Sequence, residues 1–277
     1  MEYKKETLFP NGHWLLCPPT FFDVKYEINP WMNTDRAPLS ALAAEQWRKL
    51  HHALIRLGAY VEYVEPVRGN PDLVFTANAG LVLGNKCIIS KFRFKERQGE
   101  EAVFKKWFED RHYEVLELSS GYFEGEGDAL FCGDTLVCGY GHRSDKEAYL
   151  EIQKLLDLKN LVYCELVDER YYHLDICFCP LENGLAIYNE DGIAPDSIAE
   201  LKKHFEMVPV PKKDAERFVC NAVVLGKSIV VPGGCDATQK LLQELGYDSY
   251  GVELGEFLKG GGAAKCLSLQ LDRNLPS

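Results

Sequence analysis

The sequence contains no run of about 18 apolar residues, the length a membrane-spanning helix requires. Its opening stretch, MEYKKETLFPNGHW, has no apolar core of the kind a secretory leader carries, so a cytoplasmic protein is expected. Positive charge is scarce: 31 Lys and Arg stand against 42 Asp and Glu, a formal net charge of −11 over 277 residues. Such a field repels phosphate backbones, so nucleic acid is not an expected partner, whereas a small cationic ligand suits it. No segment is rich enough in Pro, Gly or Ser to read as a linker, and one domain over residues 1–277 is expected. Apolar residues at 46% and charged residues at 26% exclude a mainly disordered, collagen-like or coiled-coil chain.

Cysteine is plentiful: ten, at positions 17, 87, 132, 138, 164, 177, 179, 220, 235 and 266. Most lie inside apolar runs such as LVYCEL and LFCGDTLVCG. In a long chain without a leader, that pattern predicts reduced thiols serving as small buried apolar residues, not a disulfide framework.

The chain repeats itself. Four segments read as β-hairpins: GLVLGNKCIIS, DALFCGDTLVCG, ICFCPLENGLAIY and NAVVLGKSIVVPG. Their turns fall at Gly84-Asn85, Gly133-Asp134, Asn183-Gly184 and Gly226-Lys227, spaced by 49, 50 and 43 residues. A helical pattern follows each hairpin, at 95–110, 144–157, 195–206 and 236–245. Ser144 and Asp236 read as N-caps, and Pro195 suits a first helical turn. A short strand closes each unit: YEVLEL, LVYCEL, EMVPVP and YDSYGV. A fifth unit forms when the chain ends are joined, with CLSLQL (266–271) beside GHWLLCPP, then helix 38–57 and strand YVEYVEP. Five such units predict an α/β fold, a five-bladed propeller of ββαβ-type repeats whose ends share one blade and leave no free sheet edge. An open α/β sheet is the alternative, although the order hairpin–helix–strand departs from plain βαβ alternation.

Each hairpin is entered through a polar or nucleophilic residue: FTANAG, FEGEGDALF, HLDICFC, FVCNAVV and GGGAAKCLSL. Rotation about an axis would bring together Asn78, the acids Glu124, Glu126 and Asp128, His173 with Asp175, Asn221 with Cys220, and Cys266. One thiol, one imidazole and several carboxylates around a point suit nucleophilic catalysis. Gly260 to Gly262 ahead of Cys266 would allow backbone to approach a ligand closely. An extended FEGEGDALF would carry Glu124, Glu126 and Asp128 on one face, a costly patch unless a cation sits there. Period two would likewise align His173, Asp175, Cys177 and Cys179, but a zinc site lacks a matching second pair at ligand spacing.

Together with GYGHRSD and INPWM (28–32), these segments resemble the guanidino-group-modifying enzymes of the pentein superfamily: arginine deiminases, dimethylarginine dimethylaminohydrolases and amidinotransferases. The resemblance spans essentially the whole chain and is nearest to the arginine dihydrolase type. It implies a five-bladed α/β propeller, a small guanidino substrate, and no metal or organic cofactor. It implies Cys266 as nucleophile, His173 as general acid/base, and Glu124 with Asp175 as acids on the guanidinium. Arg143 and Asn29 would meet the amino-acid end of the substrate, and Asn78, Asp128 and Glu126 join the binding set. Deiminases carry an acid in the slot of Asn78, and Glu-Gly-Gly-Asp where this chain has one residue more. The amide favours the dihydrolase type, and the extra residue leaves Glu124 and Glu126 both open as the site acid. Hydrolysis of arginine to ornithine, ammonia and carbon dioxide is expected, with amidino transfer to an amine, hydrolysis of arginine or dimethylarginine to citrulline, and a non-enzymatic scaffold as alternatives.

Overall fold

The computed structural model describes residues 10–274, so most of the stretch read for a leader lies outside the described residues. Five small sheets, each of three strands, are distributed along the chain. In the first, Gly80–Leu83 pairs antiparallel with Lys86–Ile89, helix Lys95–Glu109 follows, and Glu114–Leu116 returns parallel to the middle strand. The same order recurs in Ala129–Cys132, Thr135–Tyr140, helix Ala148–Leu156 and Asn160–Glu165. It recurs in Phe178–Pro180, Leu185–Tyr188, helix Pro195–His204 and Glu206–Pro209. It recurs again in Val223–Leu225, Ser228–Pro232, helix Asp236–Glu244 and Asp248–Val252. The fifth sheet joins the two ends of the chain. Leu269–Gln270 lies antiparallel to His13–Leu16, and Tyr60–Tyr63, after helix Ser40–Arg56, lies parallel to it.

Local chemistry explains the units. The tight turns need positive φ and obtain it at Gly84, Gly133, Asn183 with Gly184, and Gly226. Helix Ser40–Arg56 buries Ala43, Gln46, Trp47, Leu50 and Leu54, one face at helical spacing. Apolar clusters lie between successive sheets and bind them: Leu81 and Ile88 pack with Ala129 and Phe131, and Leu15 and Cys17 with Ala79 and Val82. All ten cysteines are unpaired and buried. No described helix is long and apolar enough to cross a membrane.

The structure departs from the sequence reading where each hairpin begins. Those entries are tight turns, not extended strand. Each is closed by an i to i−3 backbone hydrogen bond: Asn78 to Phe75, Asp128 to Gly125, Ile176 to His173, Asn221 to Phe218 and Ser268 to Lys265. Leu174–Cys177 forms one helical turn, which abolishes the shared strand face of His173, Asp175, Cys177 and Cys179. Gly125–Gly127 forms a 3-10 turn, which separates Glu124, Glu126 and Asp128. The final strand is two residues long and leaves Cys266 in the turn ahead of it. Ser144 does not cap the helix, which starts at Ala148; its hydroxyl donates instead to Asp128 Oδ2 at 2.7 Å. The cap ahead of helix Asp236–Glu244 is Cys235, with Asp236 the first helical residue.

Gly125 has φ of +61°, and a Cβ there would stand 2.7 Å from the Ala77 carbonyl oxygen and 2.8 Å from that of Gly80. Gly133 has φ of +62° with nothing within 4 Å. Gly125→Ala is therefore expected to lose about 2–4 kcal/mol of stability, and Gly133→Ala only about 1 kcal/mol. Urea denaturation of both variants checks this, and equal losses would contradict it.

Candidate active site

The five turns carry the chemistry, and hydrogen bonds tie each to its neighbour. Asn78 Nδ2 donates to the Glu124 carbonyl at 2.9 Å, and Leu174 N to Asp128 Oδ1 at 3.1 Å. Asn221 Nδ2 donates to the Asp175 carbonyl at 3.3 Å, and Lys265 N to the Asn221 carbonyl at 3.1 Å. Ala77 N donates to the Cys266 carbonyl at 3.1 Å, which joins the last turn to the first.

Cys266 is buried, with Sγ 3.3 Å from Asp175 Oδ2 and 2.9 Å from Asn221 Nδ2. Burial, reinforced by the charge of Asp175, pushes its thiol well above the usual cysteine range. Burial also pushes the Asp175 carboxyl up to about 7, against the pull of Lys265. Asp175 Oδ1 is buried and has no hydrogen-bond partner. The glycines before Cys266 are required by close approach. A Cβ on Gly261, at φ +86°, would stand 2.6 Å from Tyr172 Oη and 2.8 Å from Asn29 Nδ2, and one on Gly262 would stand 2.5 Å from Phe75.

Glu124 is fully buried between Arg143 and His173. Its Oε2 accepts from Arg143 Nη1 at 3.0 Å and meets His173 Nε2 at 2.8 Å. Burial opposes its ionisation, but Arg143 and His173 hold the carboxyl well below the usual carboxylate range. His173 stands beside Asn78: a Cβ on Gly127 would clash with Asn78 Nδ2 and lie 3.2 Å from the imidazole. Arg143 lies between the rings of Phe94 and Tyr172, at 4.6 and 4.5 Å, and donates to the Ile28 carbonyl at 2.9 Å. Asn29 bridges two segments, accepting from Trp31 N at 2.9 Å and donating to the Gly260 carbonyl at 3.2 Å. Cys266, Asn78, Arg143 and Asn29 line one small, tightly closed cavity.

Glu124, His173, Asp175, Glu126 and Asp128 are not among the residues that line that cavity, and Glu126 and Asp128 are engaged elsewhere. Glu126 points the other way, into an ion pair of 2.5 Å with Lys265 Nζ, and both line a separate cavity with Cys220. Asp128 is spent on scaffolding: its carboxylate accepts from Ser144 Oγ and Leu174 N, and burial raises it to about 6. Cys235 lies among Asp214, Gly233 and the apolar residues of its own sheet.

Sequence reading missed Asp72, Arg97 and Tyr172, which also line the Cys266 cavity. Arg97 is buried, pairs with Glu100 Oε2 at 2.8 Å and donates to Asn78 Oδ1 at 2.9 Å. Asp72 accepts from Tyr26 Oη at 2.9 Å, while its Oδ1 is buried without a partner. The one local signal was the i, i+3 spacing of Arg97 and Glu100, which on a helix reads equally well as a surface pair.

The chain matches the family model described as N,N dimethylarginine dimethylhydrolase, eukaryotic, over residues 25–272. It is 45% identical over 268 residues to the bifunctional arginine dihydrolase/ornithine cyclodeaminase ArgZ of Synechocystis sp., covering 93% of this chain and 37% of that protein. The chain thus spans little more than a third of that relative. It is 36% identical to the N(G),N(G)-dimethylarginine dimethylaminohydrolase of Mycobacterium tuberculosis over 260 residues, 93% of this chain and 85% of that one. Among solved structures, the N-terminal domain of ArgZ, an arginine dihydrolase from cyanobacteria bound to substrate, superposes with a TM-score of 0.92 at 42% identity, covering 95% of this chain and 99% of that chain. The same domain is also known covalently bonded to a reaction intermediate, with a TM-score of 0.91, 42% identity and the same coverage of both chains.

A carboxyl that titrates at about 7 is neutral below that pH and anionic above it. A guanidinium ion binds the anion, so affinity for the guanidinium ion itself is expected to strengthen about tenfold as pH rises from about 6 to about 8. Calorimetry on a Cys266→Ser variant, which cannot form a covalent adduct, measures this. Equal affinity across the range would remove Asp175 from the binding of the cation.

Proposed function

Because the chain belongs to the N,N-dimethylarginine dimethylhydrolase family, within the pentein superfamily, we propose that it hydrolyses the guanidinium group of arginine to give ornithine, ammonia and carbon dioxide. One observation carries this reading. A buried thiol stands 3.3 Å from a buried carboxylate whose second oxygen has no partner, next to a cavity lined by Arg143 and by the half-satisfied Asp72. Orphaned buried acceptors call for cationic donors, which a guanidinium and an α-ammonium group supply. The relatives compared above carry hydrolase names, which favours water over an amine as the acceptor of the amidino group.

The guanidinium carbon is a poor electrophile, and a thiolate is the side chain best suited to attack it. The substrate's charge beside Asp175 offsets the burial that keeps Cys266 protonated. As the carbon–sulfur bond forms, His173, oriented by Glu124, gives the leaving ammonia its proton. The carbon–nitrogen bond then breaks to leave a covalent thiouronium on Cys266. His173 takes a proton from water, which attacks that carbon and releases the ureido product and the thiolate. A second cycle consumes another water and cleaves the ureido group to ornithine, ammonia and carbon dioxide. Glu124 acts chiefly through His173 and Arg143, Arg143 with Asn29 meets the amino-acid end of the substrate, and Asn78 takes the place of the acid a deiminase would use. The five sheets are read as blades of one closed propeller and a single catalytic domain. The support for closure is the pairing of the two chain ends and the hydrogen bond from Ala77 to Cys266.

Incubation with L-arginine is expected to yield two ammonia per ornithine with little citrulline. Cys266→Ala and His173→Ala should each lower turnover by at least about 1,000-fold while keeping parental melting temperatures. One ammonia per citrulline would make the protein a deiminase. Asn78→Asp is expected to shift the product mixture toward citrulline, and an unchanged citrulline-to-ornithine ratio would remove the amide from the choice of product.

A further inference from the structure

Asn221 sits in the fourth turn, and all four of its carboxamide hydrogen-bond positions are occupied by the loop of the nucleophile and the turn of its acid. Its Oδ1 accepts from Ala263 N at 3.1 Å and from Cys266 N at 3.0 Å. Its Nδ2 donates to the Asp175 carbonyl at 3.3 Å and approaches Cys266 Sγ at 2.9 Å. The two backbone N–H groups can face only an oxygen, so the amide orientation is settled and the NH₂ must face the sulfur. The turn that presents it is strained: Phe218 has φ of +61° and accepts from Asn221 N at 2.8 Å. Such a conformation in a bulky residue persists only where its surroundings over-determine it.

We propose that Asn221 is a catalytic residue whose amide N–H hydrogen-bonds the Cys266 sulfur, stabilising the thiolate and aiming it, while its oxygen holds the loop that carries it. The proposal rests on the reading of Cys266 as nucleophile. A neutral donor suits this place. Asp175 already contributes negative charge 3.3 Å from Sγ. Asp72, Arg97, Arg143 and Tyr172 line the same cavity as the sulfur, Lys265 is next in the chain but turned to Glu126, and His173 with Glu124 forms the acid–base pair of the proposed mechanism. Arg97 and Arg143 are committed to carboxylates of their own. Asn221 is therefore an uncharged side-chain donor in direct contact with the sulfur, acting beside the Ala263 backbone N–H. A hydrogen bond strengthens as its acceptor becomes anionic, so this contact favours thiolate over thiol.

The test uses Asn221→Asp, which keeps the oxygen that accepts from Ala263 and Cys266 and replaces the donor with a second acceptor, and Asn221→Ala as the uncharged control. Arginine turnover and the pH dependence of Cys266 alkylation by iodoacetamide are measured for both, with melting temperatures. The expected result is a loss of about 100-fold in kcat in each folded variant, and an alkylation midpoint at least about one pH unit above the parent, larger for Asn221→Asp. A merely structural role would leave that midpoint in place. A parental midpoint in a folded Asn221→Ala protein, in an enzyme that still depends on Cys266, would overturn this inference alone. Turnover that survives Cys266→Ala would overturn the reading of the nucleophile and this inference with it. If Asn221→Asp does not fold, the Asn221→Ala midpoint decides.

Discussion

Buried peptide groups must find partners, and in this protein the peptide groups of five turns find them in one another. A turn at the mouth of each hairpin has left the strand ladder, so its donors and acceptors have no sheet neighbour. Ala77 reaches Cys266, Asn78 reaches Glu124, Asp128 reaches Leu174, Asn221 reaches Asp175, and Lys265 reaches Asn221. The constraint explains why polar side chains crowd an otherwise apolar interior. Asn78, Asp128 and Asn221 serve as links in this circuit, while Asn78 also lines the Cys266 cavity and Asn221 also touches the Cys266 sulfur. It also explains the glycines, since Gly125, Gly127 and Gly261 stand where neighbouring turns come too close for a Cβ.

Charge in this interior follows from the partners each carboxylate finds. Glu124 has Arg143 and the His173 imidazole on one oxygen and stays ionised despite complete burial. Asp175 has a thiol, a distant Lys265 and an empty-handed oxygen, so burial prevails and its carboxyl rises to about 7. On the proposed reading, one acid orients the imidazole and the other takes up the substrate cation. Glu126, two residues from Glu124, belongs to neither role, because the intervening turn sends it to Lys265 on the other side of the Cys266 loop.

The repeat was legible because it is written in local signals. Gly84, Gly133, Asn183 with Gly184, and Gly226 mark turns by the φ they adopt, and apolar runs on either side mark strands. The junction of the chain ends was legible for the same reason, as a hairpin lacking its second half. His173 and Asp175 were found, but on the wrong element: HLDICFC alternates like a strand, yet Leu174–Cys177 closes a helical turn because Asp128 Oδ1 captures the Leu174 N–H. FEGEGDALF failed likewise, since the left-handed Gly125 folds the acids apart. Asp72, Arg97 and Tyr172 carry no local mark. Arg97 is buried only because Asn78, Asp72 and Glu100 from three directions supply acceptors for it.

By itself the sequence determined the elements, their fivefold order, the pairing of its two ends, and the residue types available for nucleophilic chemistry, because turn chemistry and apolar periodicity act over a few neighbouring residues. The tertiary structure alone decided which acid faces the imidazole, which faces the thiol and which turns away. Those choices are made by hydrogen bonds between turns that lie 45 to 139 residues apart in the chain, as between Asn221 and Cys266 or Glu126 and Lys265. No local pattern encodes a contact over that distance. It exists only once the five units have packed and their buried polar groups must be satisfied together.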